Sequence, residues 1–527
     1  DLPMPRISHG SAISLEKLRA NLAAIEALNE SLDSPVVMAP PRRLTQFGYL
    51  FPDLQADEHL LPPGAQTIAN LKRLGASMRD MTPDDDRNSE IPSAYTYLGQ
   101  FIDHDITLEA LSDTFLALDD PTLLSSEQVL QRIENRRTAA LDLDSLYDPQ
   151  AQYDGDHMLL GKVFPVGKPV PNKDENNDLP RSGRDANDPR FDRFALIGDA
   201  RNDENLNIAQ LHLAFLRAHN EIVDAGHSWD GAQRVLRQLY QWIAVNDFLV
   251  RIAGQEIVDS VKTANHFFDP PAGEFFMPLE FSVGAYRYGH SMVRQAYQYN
   301  VYIHSQGGAL FKGTLDQLFT YTALSGQLGT GDGYDTLPDY CIIEWENFIN
   351  PLRNAARCID TRLVEPLYHL RDELGIELPG ILASLAVRNL LRGYKLRLPT
   401  GQAVAARMNL PVLAESDLRE LIAANADRAG LSAGDKTNLI NAGFDQRSPL
   451  WFYILAEAEL TQNGMRLGPV GGTLIAEVLI GLVRRSADSI FNMTPGWNPS
   501  HFSQQMKRPM NPNYHLMALL RLAGVHS

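Results

Sequence analysis

The stretch Tyr97 to Thr107, YLGQFIDHDIT, places Asp103, His104 and Asp105 inside an apolar run. Acidic and imidazole side chains are rarely buried without a partner or a task. If the stretch is helical, each residue turns the chain by about 100°, so Gln100, Asp103 and His104 share one face and Asp105 points elsewhere. The motif therefore presents polar groups on two faces of the helix. A single metal ion bound by Asp103, His104 and Asp105 together is disfavoured.

Three interpretations of this motif compete. His104 is either a buried structural histidine held by local hydrogen bonds, or part of the His-Asp doublet of helical metal-dependent phosphohydrolases. The third interpretation is a cofactor pocket in which His104 is the acid–base and Asp105 holds a separate cation. The doublet needs further ligands that the sequence does not identify, and the motif alone does not choose among the three.

The composition excludes several classes. The chain has 527 residues, 44% of them hydrophobic, which suffices for a large core. Its net charge of -18 argues against nucleic acid and anionic membranes as partners. The two cysteines, Cys341 and Cys358, are too few for a disulfide scaffold or a Cys-ligated zinc site, and their spacing leaves open whether they pair.

Helical periodicity predicts a mainly α fold. Leu206 to Gly226 and Ala232 to Gly254 read as long amphipathic helices, and Pro469 to Val483 reads as a core helix too short to cross a membrane. Asp417 and Glu420 resemble a capping box that opens another helix.

A candidate cation loop follows the opening motif. In an extended segment Thr138, Ala140, Asp142 and Asp144 project on the same side. Two carboxylates, a hydroxyl and a carbonyl are hard oxygen donors that suit calcium, although the EF-hand pattern fails. Alone this is an ordinary acidic loop, but Asp105 needs a partner on its own face of the helix.

The remaining candidates come in closely spaced pairs. Each pair alone has a plain explanation, such as a surface ion pair or a basic helix. They are Arg201 with Glu204, Arg287 with His290, and Asn389 with Arg392.

Five short motifs in order from Gln100 to Arg392 resemble the animal-type haem peroxidases of the peroxidase–cyclooxygenase superfamily. They are GQFIDHD, TAALDLD, GDARNDE, RYGH and the Asn389–Arg392 pair. The resemblance implies a mainly α, large single-domain haem peroxidase fold, with haem between a distal and a proximal helix and a calcium-binding loop. We expect residues 1–80 to be an N-terminal extension packed on a catalytic domain of residues 81–527. The low cysteine count favours a microbial member.

On the distal side, the resemblance makes His104 the histidine that shuttles a proton between the peroxide oxygens. Gln100 is its neighbour in the halide and water pocket, and Arg201 stabilises developing charge. Asp103 and Glu204 match the acids that esterify the haem b derivative, with the number of esters left open. Asparagine follows Glu204 where myeloperoxidase has a methionine, so a sulfonium link is impossible.

On the proximal side, the resemblance makes His290 the iron ligand. Asn389 matches the asparagine that holds its imidazole. Arg287 and Arg392 match partners of the haem propionates.

The resemblance also implies one calcium ion. Its ligands are Asp105, Thr138 (side chain and carbonyl), the Ala140 carbonyl, Asp142 and Asp144. Such an ion would tie the distal helix to the loop and hold His104 in place.

The implied function is reduction of hydrogen peroxide through an oxyferryl intermediate and oxidation of small donors: bromide, iodide, thiocyanate or phenols. One alternative is a fatty-acid dioxygenase of the same superfamily. Cyclooxygenases carry a radical tyrosine three residues before the proximal histidine, where this chain has Arg287. Another is a peroxinectin-like adhesion protein. We expect a monomer with no nucleic-acid partner and no transmembrane segment, secreted or extracytoplasmic, in a cell responding to oxidative stress.

Overall fold

The structure is a computed structural model that describes eleven segments of the chain. Residues 1–45 of the predicted N-terminal extension lie outside them, and the predicted division at residue 80 stays a prediction. The described segments are 46–82, 84–109, 117–148, 151–171, 173–184, 193–270, 275–304, 311–315, 334–370, 377–486 and 488–526.

Helices dominate these segments, which confirms the mainly α prediction. The described residues form sixteen α-helices. One of their two π-helical turns, Ala244–Phe248, joins α6 to α7. The helices are α1 Ala65–Ser77, α2 Ala94–Ile106, α3 Ser126–Arg132, α4 Asp144–Tyr147, α5 Leu206–Asp224, α6 Trp229–Ile243, α7 Leu249–Ala253, α8 Gln255–Thr263, α9 Trp345–Phe348, α10 Leu385–Lys395, α11 Gly401–Arg407, α12 Glu415–Arg428, α13 Ala433–Ile440, α14 Leu450–Gln462, α15 Pro469–Arg485 and α16 Leu516–Leu522.

Strands are short and pair two by two. Three pairs are parallel, β1 with β6, β2 with β10 and β7 with β8, and two are antiparallel, β3 with β9 and β4 with β5. The strands are β1 Gln46–Gly48, β2 Arg79–Asp80, β3 Asn88–Pro92, β4 Tyr153–Asp154, β5 His157–Met158, β6 Phe276–Pro278, β7 Ile303–His304, β8 Phe311–Lys312, β9 Ala355–Arg357 and β10 Leu363–Val364.

Helix α5 lies in the core and has well-defined ends. Asn205 caps its start, because the Asn205 Oδ1 accepts from the Ile208 N–H at 3.0 Å. Its middle packs on α2, where the Phe215 and Phe101 rings stack with centroids 4.4 Å apart. The helix stops just before Gly226, whose φ of 109° only glycine adopts readily, close to the predicted boundary.

Helix α6 begins three residues before the predicted start, because Ser228 caps it through the Gly231 N–H. The helical path then continues through the π turn and α7 and ends at Gly254, as predicted. The predicted core helix at Pro469 is α15, which runs two residues past Val483 to Arg485.

The predicted capping box at Asp417 and Glu420 is wrong. Helix α12 starts at Glu415, its N-cap is Ala414 with no side-chain cap, and Asp417 lies within the first turn. There its negative charge favours the helix dipole from inside the helix. The preceding Leu413 N–H donates to the Tyr453 hydroxyl at 2.9 Å, which ties the entering chain to α14.

Cys341 and Cys358 are both buried free thiols, so they do not form a disulfide. Burial raises the pKa of both thiols. Within the described segments, no helix combines the length and apolar character that crossing a bilayer requires.

Candidate functional site

A cavity lies between α2 and the 3₁₀ segment Ala285–Met292. The Tyr286 hydroxyl donates to the Gly99 carbonyl at 3.1 Å and so ties the two walls together. Eight predicted site residues line the cavity: Gln100, Asp103, His104, Arg201, Glu204, Arg287, His290 and Arg392.

His104 is held on the α2 wall by a side chain that the sequence analysis did not select. Its Nδ1 lies 2.7 Å from the Asn202 Oδ1, and the Asn202 Nδ2 lies 2.9 Å from Nδ1 of His212 in α5. Burial, and then the charge of Arg201, lowers the pKa of His104. The imidazole is therefore favoured in its neutral form, the form that can accept a proton.

Arg201 is fixed from several sides. Its guanidinium donates to the backbone carbonyls of His104 at 2.9 Å and Thr107 at 2.7 Å, and to the Asp199 carboxylate at 2.7 Å. Arg137 contacts the same carboxylate. Although burial opposes ionisation, the charges of Arg137 and Arg201 hold the pKa of Asp199 well below its ordinary value. Arg201 is thus held in a fixed orientation at the cavity wall.

The two predicted ester-forming acids lie on this wall. Thr107 Oγ1 donates to the Asp103 carboxylate at 2.9 Å, and the Gln100 amide donates to the Glu204 carboxylate. Asn205, at the position of the methionine in myeloperoxidase, donates from Nδ2 to the Gln100 Oε1 at 3.2 Å besides capping α5. Both carboxylates are held facing the cavity, and Asn205 supports the wall from behind.

On the opposite wall, Asn389 in α10 joins His290 to Arg287. The Asn389 Nδ2 lies 2.7 Å from the His290 Nδ1, and the Arg287 guanidinium donates to the Asn389 Oδ1 at 3.0 Å. Trp451 packs edge-on against the imidazole and donates from Nε1 to the Arg287 carbonyl at 3.1 Å. The structure thus makes the predicted contact between Asn389 and His290, and Asn389 fixes the ring.

Arg392 is buried one helical turn after Asn389 and forms an ion pair with Glu109. Both residues line the cavity. Glu109 was absent from the sequence prediction because it belongs to none of the motifs. It supplies a carboxylate where the resemblance expects one from the cofactor.

The predicted calcium loop is near Asp105, but its shape differs from the prediction. Residues 138–143 bend rather than extend, and Leu143 has a left-handed φ of 63°. The bend lets the Leu143 and Ser145 N–H groups donate to the Asp105 carboxylate at 3.2 and 3.1 Å. The segment is therefore bent and not extended, and it buries Leu141 and Leu143.

The acidic side chains of this loop lie close together. Burial, and then the charge of Asp142, raises the pKa of Asp105 to about 7. The Asp144 carboxylate accepts from the Thr138 N–H at 3.0 Å. Across the described segments no group of three or more His, Cys, Asp or Glu side chains is arranged to hold a metal. The Thr138 hydroxyl and Ala140 carbonyl would have to complete any cation site.

Two tyrosines add an aromatic wall. Tyr286 and Tyr288 line the cavity, with ring centroids 5.9 Å apart. Burial raises the pKa of both phenols, so both are neutral. Neither occupies the position three residues before His290, which Arg287 takes.

The sequence analysis missed Asn202 and Glu109 and assigned no function to His212. Asn202 sits inside the GDARNDE motif, one residue after Arg201, so its position was the available signal. The other two carry no local signal. Their contacts join segments that are distant in sequence.

Comparisons with known proteins find a similar family and a similar fold. The family model described as animal haem peroxidase matches residues 125–309, a range that includes Arg201, Glu204 and His290 but not His104. Chorion peroxidase of Aedes aegypti is 28% identical over 118 residues, covering 19% of this chain and 15% of that protein. The chain spans between 12% and 35% of the length of the curated relatives it matches.

Solved structures share the fold over most of the chain. Peroxidase A from Dictyostelium discoideum superposes with a TM-score of 0.53 at 14% identity, covering 92% of this chain and 94% of that one. The fatty acid alpha-dioxygenase of Oryza sativa gives a TM-score of 0.52 at 12% identity, covering 88% and 79%. These likenesses establish the fold. They do not distinguish a peroxidase from a fatty acid dioxygenase.

Proposed function

Because the chain belongs to the peroxidase–cyclooxygenase superfamily, we propose that it is a haem peroxidase that reduces hydrogen peroxide and oxidises small donors. The observation that carries the proposal is the single cavity lined by His104 on one wall and His290 on the other. When bound, haem would supply the redox centre that exchanges electrons between peroxide and donor. The chain's own residues would hold and orient the haem and would move the proton of the peroxide.

The donor set fits haem. His290 offers an imidazole on the cavity wall, and its Nδ1 contacts the Asn389 amide. With iron on Nε2 the Nδ1 would carry the hydrogen, so the amide would have to turn its oxygen towards His290 to accept it. Arg287 and Arg392 would face the propionates. Asp103 and Glu204 place carboxylates on the facing wall, where either could form an ester with a haem methyl.

The α2 wall carries the acid–base chemistry. His104, favoured in its neutral form, would take the proton from one peroxide oxygen and return it to the other. Arg201 would stabilise the charge that develops between them, and its fixed orientation means that little reorganisation is needed. Gln100 would order water or a halide beside His104.

We propose bromide, iodide, thiocyanate or phenols as donors and one calcium ion in the loop beside Asp105. The support for calcium is the bend beside Asp105, where the charge of Asp142 acts on the Asp105 carboxylate and the Asp144 carboxylate accepts from the Thr138 N–H; the Thr138 and Ala140 oxygens would complete the ligand set. A hard cation would balance the crowded carboxylates. An extracytoplasmic location suits such a protein and is proposed with it.

A fatty-acid dioxygenase is the second candidate, favoured by the Oryza sativa structure and by Tyr286 and Tyr288 at the cavity. Incubation with linoleate under oxygen tests it. Oxygenated product formed without peroxide, and lost in Tyr286→Phe or Tyr288→Phe, would favour the dioxygenase. If no oxygenated product forms, the peroxidase stays the proposed function.

The test of the main proposal is the absorption spectrum of the purified chain before and after one equivalent of hydrogen peroxide. We expect a strong Soret band that shifts on addition of peroxide. His290→Ala should weaken the band, and His104→Gln should keep the band but slow its shift at least 100-fold. His501→Gln, at an exposed histidine outside the cavity, is the matched control. A wild-type chain with no Soret band after haem reconstitution contradicts the proposal.

A further inference from the structure

Behind His104 lies a second buried histidine, joined to it by one amide. We propose that His212 is a positioning residue that fixes the tautomer of His104 through Asn202. The cavity edge of His104 then carries an unprotonated Nε2 ready to accept a proton. The inference rests on the proposed function for its purpose, but the tautomer can be measured independently of activity.

The first link sets the proton on His104. The Asn202 Oδ1 lies 2.7 Å from the His104 Nδ1. An amide oxygen only accepts hydrogen bonds, so the hydrogen between them belongs to the Nδ1. In a neutral imidazole the other nitrogen is then unprotonated. That nitrogen, Nε2, is the one left for the cavity that His104 lines.

The second link sets the orientation of the amide. The Asn202 Nδ2 lies 2.9 Å from the His212 Nδ1. An amide nitrogen only donates, so the His212 Nδ1 must be the acceptor. His212 can fill this role because burial lowers its pKa to about 3, which keeps the ring neutral.

The opposite amide orientation would reverse the outcome. If the Asn202 Nδ2 faced His104, it would donate to the His104 Nδ1 and the ring hydrogen would sit on Nε2. The cavity would then meet a donor in place of a base. Peroxide deprotonation by His104 requires the first orientation, which is the one the structure has and in which the His212 Nδ1 is an acceptor.

The surroundings of His212 indicate that packing alone does not explain a histidine here. The side chain is fully buried on α5, and its ring lies 6.0 Å from that of Phe101. Among the described residues its Nε2 has no hydrogen-bond partner. A buried polar atom without a partner is costly, and an apolar side chain would avoid that cost. The nitrogen that is used is the one that faces Asn202.

The experiment measures ring tautomers by long-range ¹H–¹⁵N correlation in the full chain labelled with ¹⁵N-histidine. The diamagnetic carbon monoxide form is used where haem is bound. His104→Gln assigns the signals. The test variant is His212→Phe, which removes the acceptor and keeps a ring. His212→Asn restores an acceptor oxygen near the Nδ1 position. Phe215→Leu perturbs the same packing without touching Asn202 and is the control.

In the wild type we expect His104 protonated on Nδ1. His212→Phe should shift a substantial fraction to Nε2–H and slow the peroxide reaction at least 10-fold, whereas His212→Asn should retain Nδ1–H. Phe215→Leu should leave the tautomer unchanged.

Wild-type His104 protonated on Nε2 would overturn the proposal, even if a variant failed to fold. Retention of Nδ1–H in His212→Phe would also overturn it. A chain that shows the expected tautomers but does not react with peroxide would contradict the proposed function alone.

Discussion

Asn389 contacts two residues of one cavity wall. Its amide is bonded both to the His290 imidazole and to the Arg287 guanidinium. Arg287 donates to the amide oxygen, so the amide presents its nitrogen to His290. An imidazole that binds iron through Nε2 carries its hydrogen on Nδ1, so in the proposed haem-bound protein the amide would have to turn its oxygen towards His290.

Replacing Asn389 by leucine should therefore disturb both partners. We expect the peroxide reaction of Asn389→Leu to slow about 10- to 100-fold and haem to dissociate faster, because the imidazole loses its fixed orientation. Stopped-flow absorbance and haem transfer to a scavenger protein measure the two effects. A leucine variant with both wild-type rates would show that packing against Trp451 alone fixes the ring.

Individual motifs selected eight residues that line one cavity, because each motif fixes a few positions within one turn or one loop. Asn202 and Glu109 escaped because their roles lie in contacts with other segments. His104 and Asn202 are 98 residues apart in sequence, and no local spacing encodes their 2.7 Å approach. A short stretch of sequence gives the identity of a side chain, but it does not give the distant residue that the side chain contacts.

At the junction of α14 and α15, one buried acid caps a helix. The Glu457 carboxylate accepts from the Val470 and Gly471 N–H groups at about 3 Å, at the start of α15. Burial nevertheless raises the pKa of Glu457 to about 7, from an ordinary value of 4.5. The folded chain therefore keeps a proton here that the unfolded chain releases above pH 4.5.

This shift makes the junction less stable as pH rises from about 4.5 to 7. Glu457→Gln keeps an acceptor oxygen but cannot ionise. We expect the variant to gain stability relative to wild type between pH 5 and pH 8, by at most on the order of 3 kcal/mol. Urea unfolding at the two pH values measures the gain, with exposed Glu420→Gln as control. A difference independent of pH would rule out this titration.

Sequence periodicity located the helices, because an apolar stripe must face the core wherever the helix lies. It gave the ends of α5 and α7, where glycines stop the chain. It failed for residues 138–143, because the bend is imposed by hydrogen bonds to Asp105 on another element. It also misplaced the cap of α12.

The described chain has a contiguous apolar core that runs from Phe47 to Val525. The loop around Asp105 is joined to this core through α2, so its state should influence the stability of the whole molecule. If calcium binds there, its removal should lower the melting temperature of a single unfolding transition. It should not produce a second, separate transition for the loop.

We expect EDTA to lower that temperature by several degrees and added calcium, but not magnesium, to restore it. Differential scanning calorimetry measures the shift, and Asp142→Asn should abolish the EDTA effect. The calcium proposal would be contradicted if EDTA did not change the melting temperature of the wild type and elemental analysis found no calcium in it.

The ion pair between Arg392 and Glu109 bears on how a cofactor would enter the cavity. A guanidinium buried in a cavity wall costs free energy unless a negative charge accompanies it. Here the chain provides that charge itself. In the haem-bound protein proposed above, a propionate that pairs with Arg392 would therefore exchange with the Glu109 carboxylate.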